Sequence, residues 1–130
     1  MARKRTPSKP ISPRLHGLLD YGLAAGNLML PSKLGTSDKA RGVFAAFGVI
    51  QAALNALTMQ PYALEKVVPF KLHGAIERSS APLYVGLPIV AGLLRERKAR
   101  SYWLVVGVAL VAIYRLTDWN AGGSKRRGRR

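Results

Sequence analysis

The chain has 130 residues, no cysteine and a formal net charge of +15, with 21 Lys and Arg against 6 Asp and Glu. The missing cysteine excludes disulfides, thiolate metal sites and cysteine nucleophiles, and the length allows one modest core. Two-thirds of the excess charge lies in two stretches without an acid: Arg3, Lys4, Arg5, Lys9 and Arg14 at the front, and Lys125, Arg126, Arg127, Arg129 and Arg130 at the back.

Residues 1–12 are poor in apolar side chains and are expected to form a disordered basic tail. The apolar stretch behind them has the outline of a signal peptide. It is interrupted by His16, Asp20 and Asn27 and lacks a small-x-small cleavage site, so it is expected to stay in the mature protein. A first helix is predicted over residues 13–30, followed by turn chemistry from Pro31 to Asp38 in which Ser37 or Asp38 caps the next helix. The second helix is predicted over 42–60 and is ended by Pro61. The third, over 70–94, is ended by the charged run Arg95-Glu96-Arg97-Lys98, and the fourth spans 101–119. Residues 120–130 form the second basic tail, and strand alternation occurs nowhere.

The chain also repeats itself. Leu15-His16-Gly17 with Asp20 returns as Leu72-His73-Gly74 with Glu77, an offset of 57. Gly48-Val49 with Leu57-Thr58 returns as Gly107-Val108 with Leu116-Thr117, an offset of 59. Two signals in the same order at nearly the same offset predict a duplicated helical hairpin, the first copy over 13–60 and the second over 70–119.

Charge placement predicts the solvent of these helices. A surface helix of a soluble bundle carries a charged face, and none is present here. Trp103 to Tyr114 is uncharged, and the polar residues between Val43 and Met59 are Gln51, Asn55 and Thr58, one narrow stripe suited to interhelical hydrogen bonds in a bilayer. Small residues beside it, among them Ala45, Gly48 and Ala52, permit close helix contact. Tyr102, Trp103 and Trp119 are placed as interfacial aromatics. The run from Leu15 to Leu30 is short, rising about 24 Å against roughly 30 Å of hydrocarbon, with snorkelling Arg14, Arg41 and Arg115 closing most of the gap. Four spans put both tails on one side. That side carries twelve basic residues and the other seven, which favours cytoplasmic tails, with Arg95 to Arg100 as the dissenting loop.

His16 and Asp20, like His73 and Glu77, stand four residues apart and share a helix face. Ionisable groups at membrane depth are costly, and their recurrence brings four candidate metal ligands, His16, Asp20, His73 and Glu77, toward the pseudo-symmetry axis, a set suited to Zn or Fe. The competing reading is that each His pairs with a carboxylate and locks helix packing, with Arg78 as a local counter-charge to Glu77. A lesser alternative is proton or solute transport through Asp20 and Glu77. No nucleophile elbow, phosphate loop or zinc-protease motif occurs, so no enzyme and no cofactor is expected.

Leu15-His16-Gly17-Leu18-Leu19-Asp20-Tyr21 opening an apolar helix, then a Pro/Gly turn and second helix, then Pro69-Phe70-Lys71-Leu72-His73 opening a repeat, resembles the small bacterial four-span proteins of the SPW-repeat type over residues 11–119. Ser-Pro-Trp itself is absent, its place taken by Leu30-Pro31-Ser32 to Gly35. The resemblance implies a bacterial inner-membrane protein without an established activity. The expectation is therefore an all-α, four-helix transmembrane bundle of two tandem hairpins, residues 13–119, of structural or accessory role in a bacterial cytoplasmic membrane. Its basic tails would meet anionic headgroups. A homodimer or a membrane-protein partner is compatible with so small a unit. Nucleic acid is the further alternative, weakened because neither tail interleaves aromatics for base stacking.

Overall fold

The computed structural model describes residues 8–121 and is all-helical, with four long helices and no strand among those residues. Helix α1 spans Pro13–Lys33, α2 Asp38–Ala56, α3 Phe70–Val90 and α4 Arg97–Leu116, with a 3-10 turn at Leu93–Arg95. The basic segments before residue 8 and after residue 121, expected to be disordered, lie outside the described residues.

Helix α1 starts where Ser12 accepts the Leu15 N–H at 3.2 Å and Pro13 takes the first helical position, where a missing N–H costs nothing. It does not stop before Pro31, as the sequence reading expected, but runs on to Lys33. One backbone bond is lost there, and the end is closed by Gly35 at φ 71° with Gly35 N–H donating to Ser32 O and Thr36 N–H to Pro31 O. Helix α3 ends alike, with Pro88 in its last turn and Gly92 at φ 74°. That glycine, not the charge run, sets the boundary. Arg97 and Lys98 therefore open α4 instead of closing α3, and α4 begins four residues before its predicted start. Helix α2 begins at Asp38, also four residues early, because Ser37 caps it by accepting the Ala40 N–H.

The duplication is visible in the backbone. Met59 N–H donates to Val68 O and Val68 N–H to Leu57 O, both at 2.8 Å. The second copy repeats this as Asp118 N–H to Ile11 O at 2.8 Å and Ile11 N–H to Leu116 O at 3.0 Å. Each hairpin's exit thus pairs with the other hairpin's entrance. Ile11, expected in the disordered tail, is buried by this pairing.

Helices α1 and α2 pack closely because Gly48 has no side chain. A Cβ there would stand 2.8 Å from the Ala24 carbonyl oxygen and 3.0 Å from Asn27 Cβ. We therefore expect Gly48→Val to lower stability by about 1–3 kcal/mol by overpacking against backbone that cannot yield. Gly86→Ala, in open space, should be neutral or stabilising. Chemical denaturation followed by circular dichroism compares the two.

The interior has two unlike ends. Toward the hairpin turns, Ala40, Phe44, Leu93, Ala99, Tyr102 and Val106 form the apolar core. Toward the chain ends, His16, Asp20, Asn55, Thr58, Gln60, His73 and Thr117 are buried polar residues, with Ile11 and Phe70 buried beside them. Two expected interfacial aromatics belong to this interior. Tyr102 is buried with its hydroxyl donating to Asn27 Oδ1 at 2.8 Å, and Trp119 lies on Gly74, His16 and Phe70. The outside also carries large apolar side chains: Val105 and Val108 are 70% exposed and Val90 86%, with Val49, Ile50, Leu83 and Ile89 also facing out.

Candidate metal centre

Helices α1 and α3 deliver the four predicted residues to one point. In each, the His and the carboxylate one turn later share a face, and the crossed exit-to-entrance pairing presses the two faces together. His16 Nε2 lies 3.4 Å from His73 Nε2. Asp20 Oδ2 stands 3.3 Å from His16 Nε2 and 3.1 Å from His73 Nε2, and Glu77 Oε1 stands 3.3 and 3.0 Å from the same two atoms. One ligand atom from each residue falls within 4.8 Å of all the others. Zinc bonds of about 2.0–2.2 Å directed to the corners of a tetrahedron separate neighbouring ligand atoms by about 3.3–3.6 Å. Five of the six separations, 3.0–3.4 Å, fall in or just below that range, and the sixth, between the two carboxylate oxygens, is bounded only by 4.8 Å, so the carboxylates would close in on a first-row divalent ion.

The hydrogen bonds behind the ligands decide what the nitrogens offer. Thr58 is hydrogen-bonded through Oγ1 to the Leu54 carbonyl at 2.6 Å, and Thr117 in the same way to Ile113 O. A hydroxyl has one proton, and the carbonyl takes it. Each threonine therefore accepts from histidine: His73 Nδ1–H donates to Thr58 Oγ1 at 2.6 Å and His16 Nδ1–H to Thr117 Oγ1 at 2.9 Å. With Nδ1 carrying the proton, both Nε2 lone pairs point inward, the tautomer a metal requires.

These nitrogens and carboxylate oxygens are held together either by a cation among them or by Nε2 protons shared with the carboxylates, as His73 Nε2 lies within hydrogen-bonding distance of Glu77 Oε1 at 3.0 Å. Asp20 Oδ2 is fully buried, close to both imidazoles, and hydrogen-bonded to neither. A divalent ion supplies that oxygen with a partner. It also cancels the charge of two carboxylates in an interior where unpaired charge is costly. Gln51 Nε2 reaches Asp20 Oδ1 at 3.4 Å, and Asn55 Nδ2 donates to Gly17 O at 2.8 Å, fixing α2 to α1 beside the site. Phe70 and Trp119 wall it, with Trp119 4.8 Å from the His16 ring centroid. The expected Glu77–Arg78 ion pair does not form. Among the described residues the ionic partners of Glu77 are the two histidines.

The sequence reading identified all four candidate ligands but missed Thr58 and Thr117 as their supports, although their echo at offset 59 was the available signal. Comparison with protein-family models, with characterised proteins and with solved structures finds no match to this chain.

Proposed function

We propose that this protein is a small multi-pass integral membrane protein that holds one divalent transition-metal ion, zinc by its geometry, between its two repeats. The observation that carries the reading is the pair of inward Nε2 lone pairs, each set by a threonine of the other hairpin, meeting two carboxylates at bonding separation. Four protein ligands leave no open coordination position, which favours a structural or storage role over catalysis. This reading takes the metal alternative over packing alone because one ion would meet all four side chains at once, whereas in packing alone Asp20 Oδ2 depends on a protonated histidine at 3.1–3.3 Å.

The membrane part of the reading rests on the many large apolar side chains that face outward while a polar cluster is buried at one end of the interior. One helix, Arg97–Leu116, is long and apolar enough by itself to cross a bilayer. The other three fall short by composition because they carry His16, Asp20, Asn27, Gln51, Asn55, His73 and Glu77, most of them turned inward. Their lengths, 21, 19 and 21 residues, correspond to about 28–32 Å of helix and answer the shortfall of the apolar run. The resemblance to SPW-repeat proteins and the excess of basic residues on the tail side point the same way, to a bacterial cytoplasmic membrane with the metal centre in its inner half.

Purification in detergent, without chelators or metal-affinity media, followed by elemental analysis tests the reading. About one equivalent of zinc or a neighbouring metal per chain is expected. High-salt and alkaline washes should leave the protein in the membrane. Less than about a tenth of an equivalent after incubation with excess zinc overturns the metal assignment, and release into the washes overturns the membrane one.

A further inference from the structure

The four ligands are not held equally. The side chains of His16, Asp20 and His73 are at most 1% exposed, and each is supported from behind, the histidines by Thr117 and Thr58 and the aspartate by Gln51. The Glu77 side chain is 21% exposed, and among the described residues nothing outside the cluster hydrogen-bonds to its carboxylate. Its surroundings on α3 are lopsided. One turn before it, Gly74 is sealed by the Trp119 ring, which a Cβ there would meet at 2.7 Å. One turn after it, Ser80 and Ala81 are small and exposed. Pro82 follows, and its missing N–H leaves the Arg78 carbonyl without its helical partner, loosening α3 where Glu77 sits.

Resting on the metal reading above, we propose that Glu77 is the exchangeable ligand of this centre. The ion is seated by His16, Asp20 and His73, and enters and leaves through the coordination position that Glu77 closes. In exchange, the Glu77 carboxylate swings outward past Ser80 and Ala81, and a donor atom of water or of an incoming ligand takes its place. No electron moves, and the other three bonds stay intact until the ion departs. A glutamate suits this role better than the aspartate opposite it, having one more rotatable bond and no support to break. The site is then a holder from which metal can be loaded and withdrawn, not a permanent rivet.

Zinc release from the detergent-purified protein into a chromogenic chelator tests this. For the wild type, the release rate should rise with chelator concentration, because the chelator displaces Glu77 directly. A rate that is independent of chelator and equal to the rate of global unfolding means that the whole bundle must open first, and overturns the proposal. Glu77→Gln should keep its zinc through gel filtration yet release it at least about tenfold faster, whereas Asp20→Asn should not retain it. Loaded with cobalt, Glu77→Gln should change its visible spectrum on addition of imidazole while the wild type does not at the same concentration. Equal loss of metal from the two variants, or wild-type release from Glu77→Gln, overturns the gate while leaving the metal centre standing. A wild type that takes up no zinc overturns both.

Discussion

Replacing both His16 and His73 by Ala is expected to reduce bound metal from about one equivalent to less than about a tenth, and to remove the response of thermal stability to chelators. Two of the four donors vanish, and the remaining carboxylates of Asp20 and Glu77 are too few to hold a borderline ion against water. In the wild type, a free zinc concentration a thousand times its Kd stabilises the fold by about 4 kcal/mol, so a chelator should lower the unfolding midpoint by several degrees. The double variant should melt at one temperature with or without it. Elemental analysis and thermal melts in the same detergent read both effects. A double variant that keeps its metal, or a wild type whose midpoint ignores both zinc and chelator, counts against a centre at this position. Acid should weaken binding in the wild type, since every ligand must shed its proton to coordinate.

Thr58→Val and Thr117→Val should each weaken zinc binding by about 10- to 100-fold, although neither residue touches the ion. Valine keeps the shape and removes the acceptor. The buried Nδ1–H of His73 or His16 is then left without a partner, a loss of about 1–3 kcal/mol, and nothing holds the tautomer that aims Nε2 at the centre. Serine retains the oxygen and should restore most of the affinity. Competition against a chelator of known affinity measures the series. If valine and serine behave alike at both positions, the threonines only fill space.

Local geometry is what the sequence made legible. His16 with Asp20 and His73 with Glu77 share a face because helical residues four apart always do, and the echo at offset 57 brought the two pairs together as candidates. The four-helix, duplicated organisation follows from the same echo. Contacts made across the bundle were out of reach. That His16 leans on Thr117 and His73 on Thr58 depends on how closely the helices approach, and Gly48 on the Ala24 carbonyl is part of what sets that distance. Pro31 was misread because proline ends most helices and a buried exception is known only from its packing. Arg95 to Lys98 was misread because charge was taken as a boundary, when Gly92 with its positive φ was the stronger signal. Glu96, the residue before α4, accepts the Ser37 N–H at 2.9 Å and its hydroxyl at 2.7 Å, tying together the starts of α2 and α4.

The crossed pairing of each hairpin's exit with the other's entrance has an evolutionary consequence. A half-length chain could not complete this pocket alone, since the histidine of one half borrows its threonine from the other; two copies side by side could build a twofold version from His16, Asp20 and Thr58 of each. Gene fusion then needs only the short stretch between Gln60 and Val67 as its joint. Because Ile11 and Asp118 are hydrogen-bonded neighbours, a circular permutant opened at that joint and closed between the old ends would retain every donor in place.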